Sequence, residues 1–482
     1  PVAPSTPDLD AGSDSGSSST DDNTSDDTPT LSGTAEANST VELISSVDGS
    51  VGSVAADGSG NWTITTSTLS EGIHDLTVTA TDTAANTGPA SAALSVTIDT
   101  TAPDAPSIPD LAAVSDSGNS DTDDLTNVNT PTVAGAAETG STVSITSSAD
   151  GAVGSDIANA ITGVWAFVTD PLSEGAHDLT AVATDTAGNA SAASAALAVA
   201  IDTVAPVTPA APDLDAGSDS GSSSTDDNTS DDTPTLSGTA EANSTVELIS
   251  SVVGSVGSVA VDSSGDWSIT SSALSDGSHD LTVTATDAAG NASTASAALT
   301  VTVDTTPPDA PSAPDLNAAS DSGVSGTDDL TNVNTPVLAG TAETDSTVSI
   351  TSDLDGVVGT ATSDSVVGIW TAVTAALSDG VHNLTATATD AAGNTSAASA
   401  ALAVTIDTTA PDTPAAPDLD SGSDSGSSST DDNTSDDTPT LSSTAEANST
   451  VELLEGATSL GTGTADGSGN WTITSSALSD GS

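Results

Sequence analysis

The chain has 482 residues and carries 70 Asp and Glu against no Lys or Arg, for a formal charge of -70 with only four His. A chain with no basic residue cannot displace counterions from phosphates, which excludes nucleic-acid binding. The lack of Cys removes disulfides, thiol catalysis and thiolate metal sites, and with no run of 18 apolar residues no segment is expected to span a membrane.

The chain opens at Pro1 without a basic leader, so any signal peptide is expected to lie outside this sequence. The lack of Met and of trypsin-type cleavage sites suits a secreted, extracellular or cell-surface setting. Two carboxylates about 4 Å apart repel by about 4 kcal/mol at an effective dielectric of about 20. Clustered acids therefore need a bound cation, protonation or distance.

The sequence repeats itself. Pro-Asp-Leu recurs at Pro7, Pro109, Pro212, Pro314 and Pro417, and Trp recurs in register at Trp62, Trp165, Trp267, Trp370 and Trp471. This period of about 100 residues is the size of one sandwich domain and too long for a solenoid coil. The string SGSSSTDDNTSDDTPTLS marks repeats one, three and five, and TDDLTNVNTP marks two and four, an alternation that suggests duplication of a two-domain block. The expected domains are 1–103, 104–206, 207–308, 309–411 and 412–482. The fifth stops before its last two strands and is expected to be poorly ordered unless something completes it.

Within the first repeat apolar and polar residues alternate at period two, as in strands with one buried face. Val41 and Leu43 come first, then Trp62 and Ile64, then Leu76, Val78 and Ala80, and last Leu94, Val96 and Ile98. Turn signals separate them at Asp57-Gly58-Ser59-Gly60, at Ser70-Glu71-Gly72 and at Thr83-Ala84-Ala85-Asn86. With Leu31 and Leu69 these residues form the expected core. The fold class that follows is all-β: tandem Ig-like β-sandwich domains in an elongated array, almost without helix.

Each boundary repeats one order of elements: an Asp at the end of the last strand, a Pro-rich connection, then an acidic segment. Prolines stiffen such a connection. In an Ig-like sandwich the final hairpin lies at the pole where the chain enters, so it should face the preceding repeat.

The candidate metal ligands at the first boundary are Asp99, then Asp110, Asp116, Asp121, Asp123 and Asp124, with Asp185 and Asn189 of the hairpin. At the second they are Asp202, Asp213, Asp219, Asp226 and Asp227, with Asp287 and Asn291; at the third Asp304, Asp315, Asp321, Asp328 and Asp329, with Asp390 and Asn394. The fourth offers Asp407, Asp418, Asp424, Asp431 and Asp432. Oxygen-rich sets of this kind suit calcium, although the spacing is not that of an EF-hand loop. An ordinary solvated acidic loop is the competing reading.

The strings TPTLSGTAE from Thr28, DGSGNWTIT from Asp57, HDLTVTATD from His74 and IDTTAP from Ile98 resemble the bacterial Ig-like repeats of giant calcium-dependent, type I secreted (RTX) surface adhesins and biofilm-associated proteins. The resemblance implies Ca2+ at domain junctions, a stiff stalk and adhesive ends elsewhere on the polypeptide. Ala85, where the other complete repeats have Gly, and the total lack of basic residues depart from the family's pattern.

The repeated Trp reads as core, with sugar stacking as the alternative, and the repeated His as a structural hydrogen-bonder. No arrangement of nucleophile and base stands out, so no enzyme is expected. The leading function is a structural extender of a secreted adhesin. A self-assembling matrix or filament protein cross-linked by divalent ions is the alternative, with lateral or end-to-end self-association as its partner interaction, and a carbohydrate-binding module is the third.

Overall fold

Alternation at period two turns each repeat into two facing sheets. The computed structural model describes residues 1–323, 325–428 and 430–481, and among them there is no helix. In the first repeat the strands are β1 (Asp8–Leu9), β2 (Asn23–Thr24), β3 (Thr30–Thr34), β4 (Thr40–Ser45), β5 (Gly49–Ala55), β6 (Asn61–Thr65), β7 (Gly72–Thr81) and β8 (Leu94–Ile98). One sheet has the order β1-β3-β6 and the other β2-β8-β7-β4-β5. Every pairing is antiparallel except β2 with β8, which run parallel. Repeats two, three and four reproduce both sheets.

The inward residues of the two sheets meet in one core per repeat. In the first it comprises Leu31, Val41, Leu43, Trp62, Ile64, Leu69, Leu76, Val78, Val96 and Ile98, joined by Leu9, Val51 and Ala56. Leu94, expected inside, is only partly buried at its edge. Each large side chain so buried contributes about 1.5–3 kcal/mol. Trp62 lies across from Gly33 in the β3–β6 ladder, where an added Cβ would stand 2.7 Å from the indole ring. The small residue leaves room for the large one.

The chain divides into two compact units, Pro1–Asp304 and Thr305–Ser482. The first holds three complete repeats; the second holds one complete repeat and the shorter last one. That last repeat keeps its three-stranded sheet but only two strands, Thr450–Glu455 and Thr458–Thr464, of the other. Its buried cluster shrinks to Val451, Leu453, Ala465, Trp471 and Ile473. Leu441, whose counterpart Leu31 is fully buried, is only partly so, because no counterpart of β7 or β8 covers it.

Candidate functional site

The parallel pairing of β2 with β8 sets the geometry of the seams in the first unit. Asn23 lies opposite Thr97 and Thr24 opposite Ile98, so the loop between β1 and β2 is carried to the pole where β8 ends. Thr24 Oγ1 secures this loop by donating to the Ser13 carbonyl at 2.5 Å. The last hairpin of the second repeat docks on it. Ser15 Oγ donates to the Ala187 carbonyl at 2.9 Å, the Ser17 and Ser25 N–H groups donate to the Thr186 and Ala187 carbonyls, and Asn23 Nδ2 donates to Thr186 Oγ1 at 3.0 Å. Asn189 Nδ2 completes the seam by donating to the Asp99 carbonyl at 2.7 Å.

The second seam repeats the pattern. Ser117 Oγ donates to the Ala289 carbonyl at 2.9 Å, the Asn119 N–H donates to the Ala288 carbonyl, and Asn291 Nδ2 donates to the Asp202 carbonyl at 2.8 Å. Contact is close enough to demand glycine. A Cβ on Gly16 would lie 2.2 Å from the Thr186 carbonyl oxygen and one on Gly118 2.1 Å from that of Ala288, and both residues have positive φ.

Sequence reasoning places Asp99 opposite Asp185 and Asn189, and the structure brings these together through Asn189. It does not bring the acidic segment of the second repeat to the same seam. After the linker the chain crosses the whole domain, through the Asp110–Leu111 strand, before reaching the loop that contains Asp116, Asp121, Asp123 and Asp124. That loop therefore lies at the opposite pole, where Ser117 meets the third repeat. The expected gathering of Asp99, Asp185 and the Asp110–Asp124 segment is corrected accordingly: these are two groups, one at each end of the domain.

The counterparts keep the same places within their own repeats. Thr229, Thr331 and Thr434 tie down the loops of Asp219, Asp226 and Asp227, of Asp321, Asp328 and Asp329, and of Asp424, Asp431 and Asp432. Asp213, Asp315 and Asp418 begin the short strands before those loops. Asp407 accepts the Thr409 N–H at 3.0 Å. Asp304 ends the first unit, whereas Asp390 and Asn394 belong to the second.

The hairpin acid builds its own turn. Asp185 Oδ1 accepts the Gly188 and Asn189 N–H groups at 2.7 and 2.9 Å, and Oδ2 accepts Asn189 Nδ2 at 2.8 Å. Asp287 and Asp390 are capped in the same way by Asn291 and Asn394.

Two acids that sequence reasoning missed also converge here. Burial pushes the Glu138 carboxyl up, and the negative charges of Asp185, Asp99 and Asp104 push it further. Glu138 and Asp104 also line one hollow with Ser107. The signal was present in the recurring Ala-Glu at Glu36, Glu138, Glu241, Glu343 and Glu446. At the second seam Val207 replaces Asp104, and its N–H donates to Glu241 Oε2 at 3.3 Å.

The loop acids face a different environment. Burial pushes the Asp116 carboxyl up, opposed by the Asp124 N–H, and the charges of Asp123 and Asp121 add to the rise. Asp124 is raised by burial and then by Asp116, Asp110 and Asp123. Asp14, Asp22, Asp219, Asp227 and Asp329 are raised as well, burial being the largest cause in each. Asp116 Oδ1 is buried with no hydrogen-bond partner, as are the same atoms of Asp14, Asp219, Asp321 and Asp424. Among the described residues no three acidic or His side chains are grouped closely enough to hold a metal by themselves.

A family profile described as bacterial Ig-like domain matches residues 1–100, 101–203, 206–305, 307–408 and 410–482. The chain belongs to the bacterial Ig-like domain family. No curated protein matches the sequence significantly. Among solved structures, one from a study of host cell surface retention of a 1.5-MDa bacterial ice-binding adhesin is 24% identical, covers 63% of this chain and 98% of its own, and has a TM-score of 0.25. The fibronectin(III)-like modules of Clostridium thermocellum CbhA are 16% identical, cover 41% and 94%, and score 0.26. A BSP domain of a biofilm-associated protein is 13% identical, covers 85% and 96%, and scores 0.16. At scores this low these likenesses decide nothing about function.

The other recurrent residues of these Ig-like repeats are structural. His74 is fully buried. Its Nε2–H donates to the Ser70 carbonyl at 2.7 Å, and its Nδ1 lies 2.7 Å from Ser45 Oγ. Asp48 lies 3.5 Å from the same Nδ1, so Ser, His and Asp stand in a row. The hydroxyl, however, is enclosed, and His279 keeps both hydrogen bonds where Val253 replaces the Asp. The five Trp are 1–4% exposed, which leaves no ring face for stacking on a sugar. The profile that matches each repeat is that of an Ig-like domain.

Proposed function

We propose that this chain is an extender segment of a secreted bacterial surface adhesin, stiffened by calcium where repeats meet and carrying a binding tip away from the cell. The observation that carries this reading is the seam itself. In both seams of the first unit a hairpin of one repeat docks into the glycine-containing loop and strand end of the one before, with Asn189 and Asn291 bridging to the Asp99 and Asp202 carbonyls. A repeated, specific dock between neighbours suits a rod better than a flexible string.

The residues at the seam fit calcium chemistry. Asp99, Asp104 and Asp185 all lie within electrostatic reach of Glu138, all their donors are hard oxygens, and no Lys or Arg exists to balance them. Calcium accepts carboxylate, carbonyl and water oxygens together in flexible geometry. When bound it would supply positive charge to these acids. The scarcity of calcium inside cells and its abundance outside would couple folding to export.

Small-angle scattering of the full chain with calcium and with excess EDTA tests this reading. The expected result is a longer, stiffer particle with calcium; identical profiles would remove calcium from the mechanism. The self-assembling matrix alternative predicts light scattering that grows with protein concentration when calcium is added, and a chain that stays monomeric argues against it.

A further inference from the structure

The two kinds of repeat differ on one face. In the three-stranded sheet of the first repeat, the outward residues of the two long strands are Thr30, Ser32, Thr34, Asn61, Thr63 and Thr65. The third repeat keeps this polar pattern and adds Asp266. In the second repeat the same rows read Thr132, Ala134, Ala136 and Val164, Ala166, Val168. In the fourth they read Val337, Ala339, Thr341 and Ile369, Thr371, Val373. Val164, Val168, Ile369 and Val373 are each more than half exposed.

Charge leaves this face together with polarity. Ser32 and Ser237 donate to Asp10 and Asp215, whereas Ala112 and Asn317 stand in place of those acids in the second and fourth repeats. One acid remains beside each apolar pair of rows, Asp110 and Asp315 on the third strand. A chain of charge -70 with no Lys or Arg has few surfaces on which two copies can meet without carboxylate facing carboxylate.

The turn leading into each of these edge strands is apolar as well. It spans 159–163 and 364–368, one residue longer than 57–60 in the first repeat. Ile161 is 89% and Val366 82% exposed. Asn159 Oδ1 accepts the Ile161 and Thr162 N–H groups at 2.9 and 3.0 Å, and Asp364 Oδ1 those of Val366 and Val367 at 2.9 and 2.8 Å. Fixed turns thus hold apolar side chains out in water, which lowers the ordering cost of a contact made there.

We propose that the outer faces of the three-stranded sheets of the second and fourth repeats are homotypic contact surfaces, each packing on the same kind of face of a second copy of this chain. A cationic partner gains nothing from rows without acids and is drawn to the acidic loops instead. An anionic membrane is repelled by the charge of the chain. Strand addition at the edge is closed in the second repeat, where Asp156 Oδ2 accepts the Ala166 N–H at 3.3 Å, so the contact is face to face. Two strands of five residues present about 10 by 17 Å, or about 170 Å², against about 800 Å² per partner in a stable complex. The association is therefore weak and reversible, and grows at high chain concentration. It needs no calcium and does not rest on the proposed stalk.

Sedimentation velocity of the full chain in EDTA tests this, over a rising series of chain concentrations at about 0.1 M and about 1 M NaCl, between which the Debye length falls from about 10 Å to about 3 Å. The sedimentation coefficient should rise with concentration, and more steeply at the higher salt, because screening weakens the repulsion between two polyanions. A variant with Val164→Asn, Val168→Thr, Ile369→Asn and Val373→Thr takes the residues of the first repeat at those positions. It should associate about tenfold more weakly or less still. If it does not fold, Ile161→Asp with Val366→Asp, at turn positions that are largely exposed, should give the same loss. Ile73→Thr with Val252→Thr, exposed apolar residues away from these faces, should leave association as it was.

A chain that stays monomeric throughout, an association that falls with salt, or one that the face and turn variants leave unchanged overturns the proposal. Flotation with neutral phosphatidylcholine vesicles, lost in the face variant and without self-association, would assign the face to a lipid surface and overturn it too. With calcium absent throughout, none of these outcomes bears on the calcium reading of the seams.

Discussion

Asp57 and Asp116 are the same residue type in two opposite settings. Asp57 lies in a tight turn and is saturated there: its Oδ1 accepts the Ser59 and Asn61 N–H groups at 2.8 and 2.9 Å, and Oδ2 accepts Asn61 Nδ2. Those bonds, the Asn61 N–H first, hold its carboxyl below the usual range, as the Asn86 amide does for Asp82. Asp116 lies in a crowded loop, raised by burial and by its neighbours, with one oxygen unmet. The number of acids in a segment is therefore a poor guide to cation binding. The unmet acceptor is the better one, and by that measure the turn acids are satisfied and the loop acids are not.

The sharpest way to break this contrast is to withdraw calcium. A site held at a hundredfold excess over Kd contributes about 2.7 kcal/mol, which for a domain of about 100 residues corresponds to about 10 °C or more in Tm. Scanning calorimetry of the full chain in EDTA should show a fall of that order, and a melt that does not move contradicts a stabilising role for calcium.

Next in size is a seam substitution. Gly118→Ala places a methyl group against the Ala288 carbonyl in a left-handed conformation. Faster hydrogen exchange at the 286–291 hairpin is expected, with the cores of both repeats unchanged. Gly217→Ala, where a Cβ meets nothing within 4 Å, should leave the hairpin as it was. Equal effects from the two would mean that the seam contact holds nothing.

A smaller effect separates the two acid classes by pH. Carboxyls raised in the folded state, such as Asp116, Asp124 and Glu138, bind protons more readily folded than unfolded. In the calcium-free chain their charged forms oppose folding, and that penalty is relieved as pH falls through their folded pKa toward the ordinary values of 3.8 and 4.5. Carboxyls lowered in the folded state, such as Asp57 and Asp82, act the other way: their contribution is present above 3.8 and is lost as pH falls through the folded pKa. The calcium-free Tm should therefore rise on mild acidification from neutrality and fall again in stronger acid. With calcium present the first rise should vanish, because protons then compete with the cation. A rise of the same size with and without calcium would tell against cation binding by these acids.

The smallest effect is expected from Asp57→Ala. Loss of the turn bonds should lower Tm slightly and by the same amount with or without calcium, which calorimetry in both conditions checks.

The sandwich was legible in the sequence because period-two alternation leaves little choice of face: Leu76, Val78 and Ala80 can point inward only together, and they do. Leu94 lay at the limit of this logic, since a strand's first residue can have the right parity and still stand at the rim. The meeting of Asp99 with Asn189 was legible from topology alone.

The place of Asp116 was not, for a definite reason. The parallel β2–β8 pairing involves only two residues on each strand, too few to leave a periodic mark, yet it determines to which pole the acidic loop travels. Glu138 carries no local mark of its setting, because the acids that raise it, Asp185, Asp99 and Asp104, lie far from it in sequence. Ala187, buried completely in the seam, looked like any small residue of a turn.

The most direct test of the central claim is the anomalous diffraction signal of crystals of this chain grown with calcium. A peak at each seam of the first unit, beside Asp99 and Asp185 and beside Asp202 and Asp287, is the predicted result. A map in which those acids meet only protein and water, at saturating calcium, would contradict it.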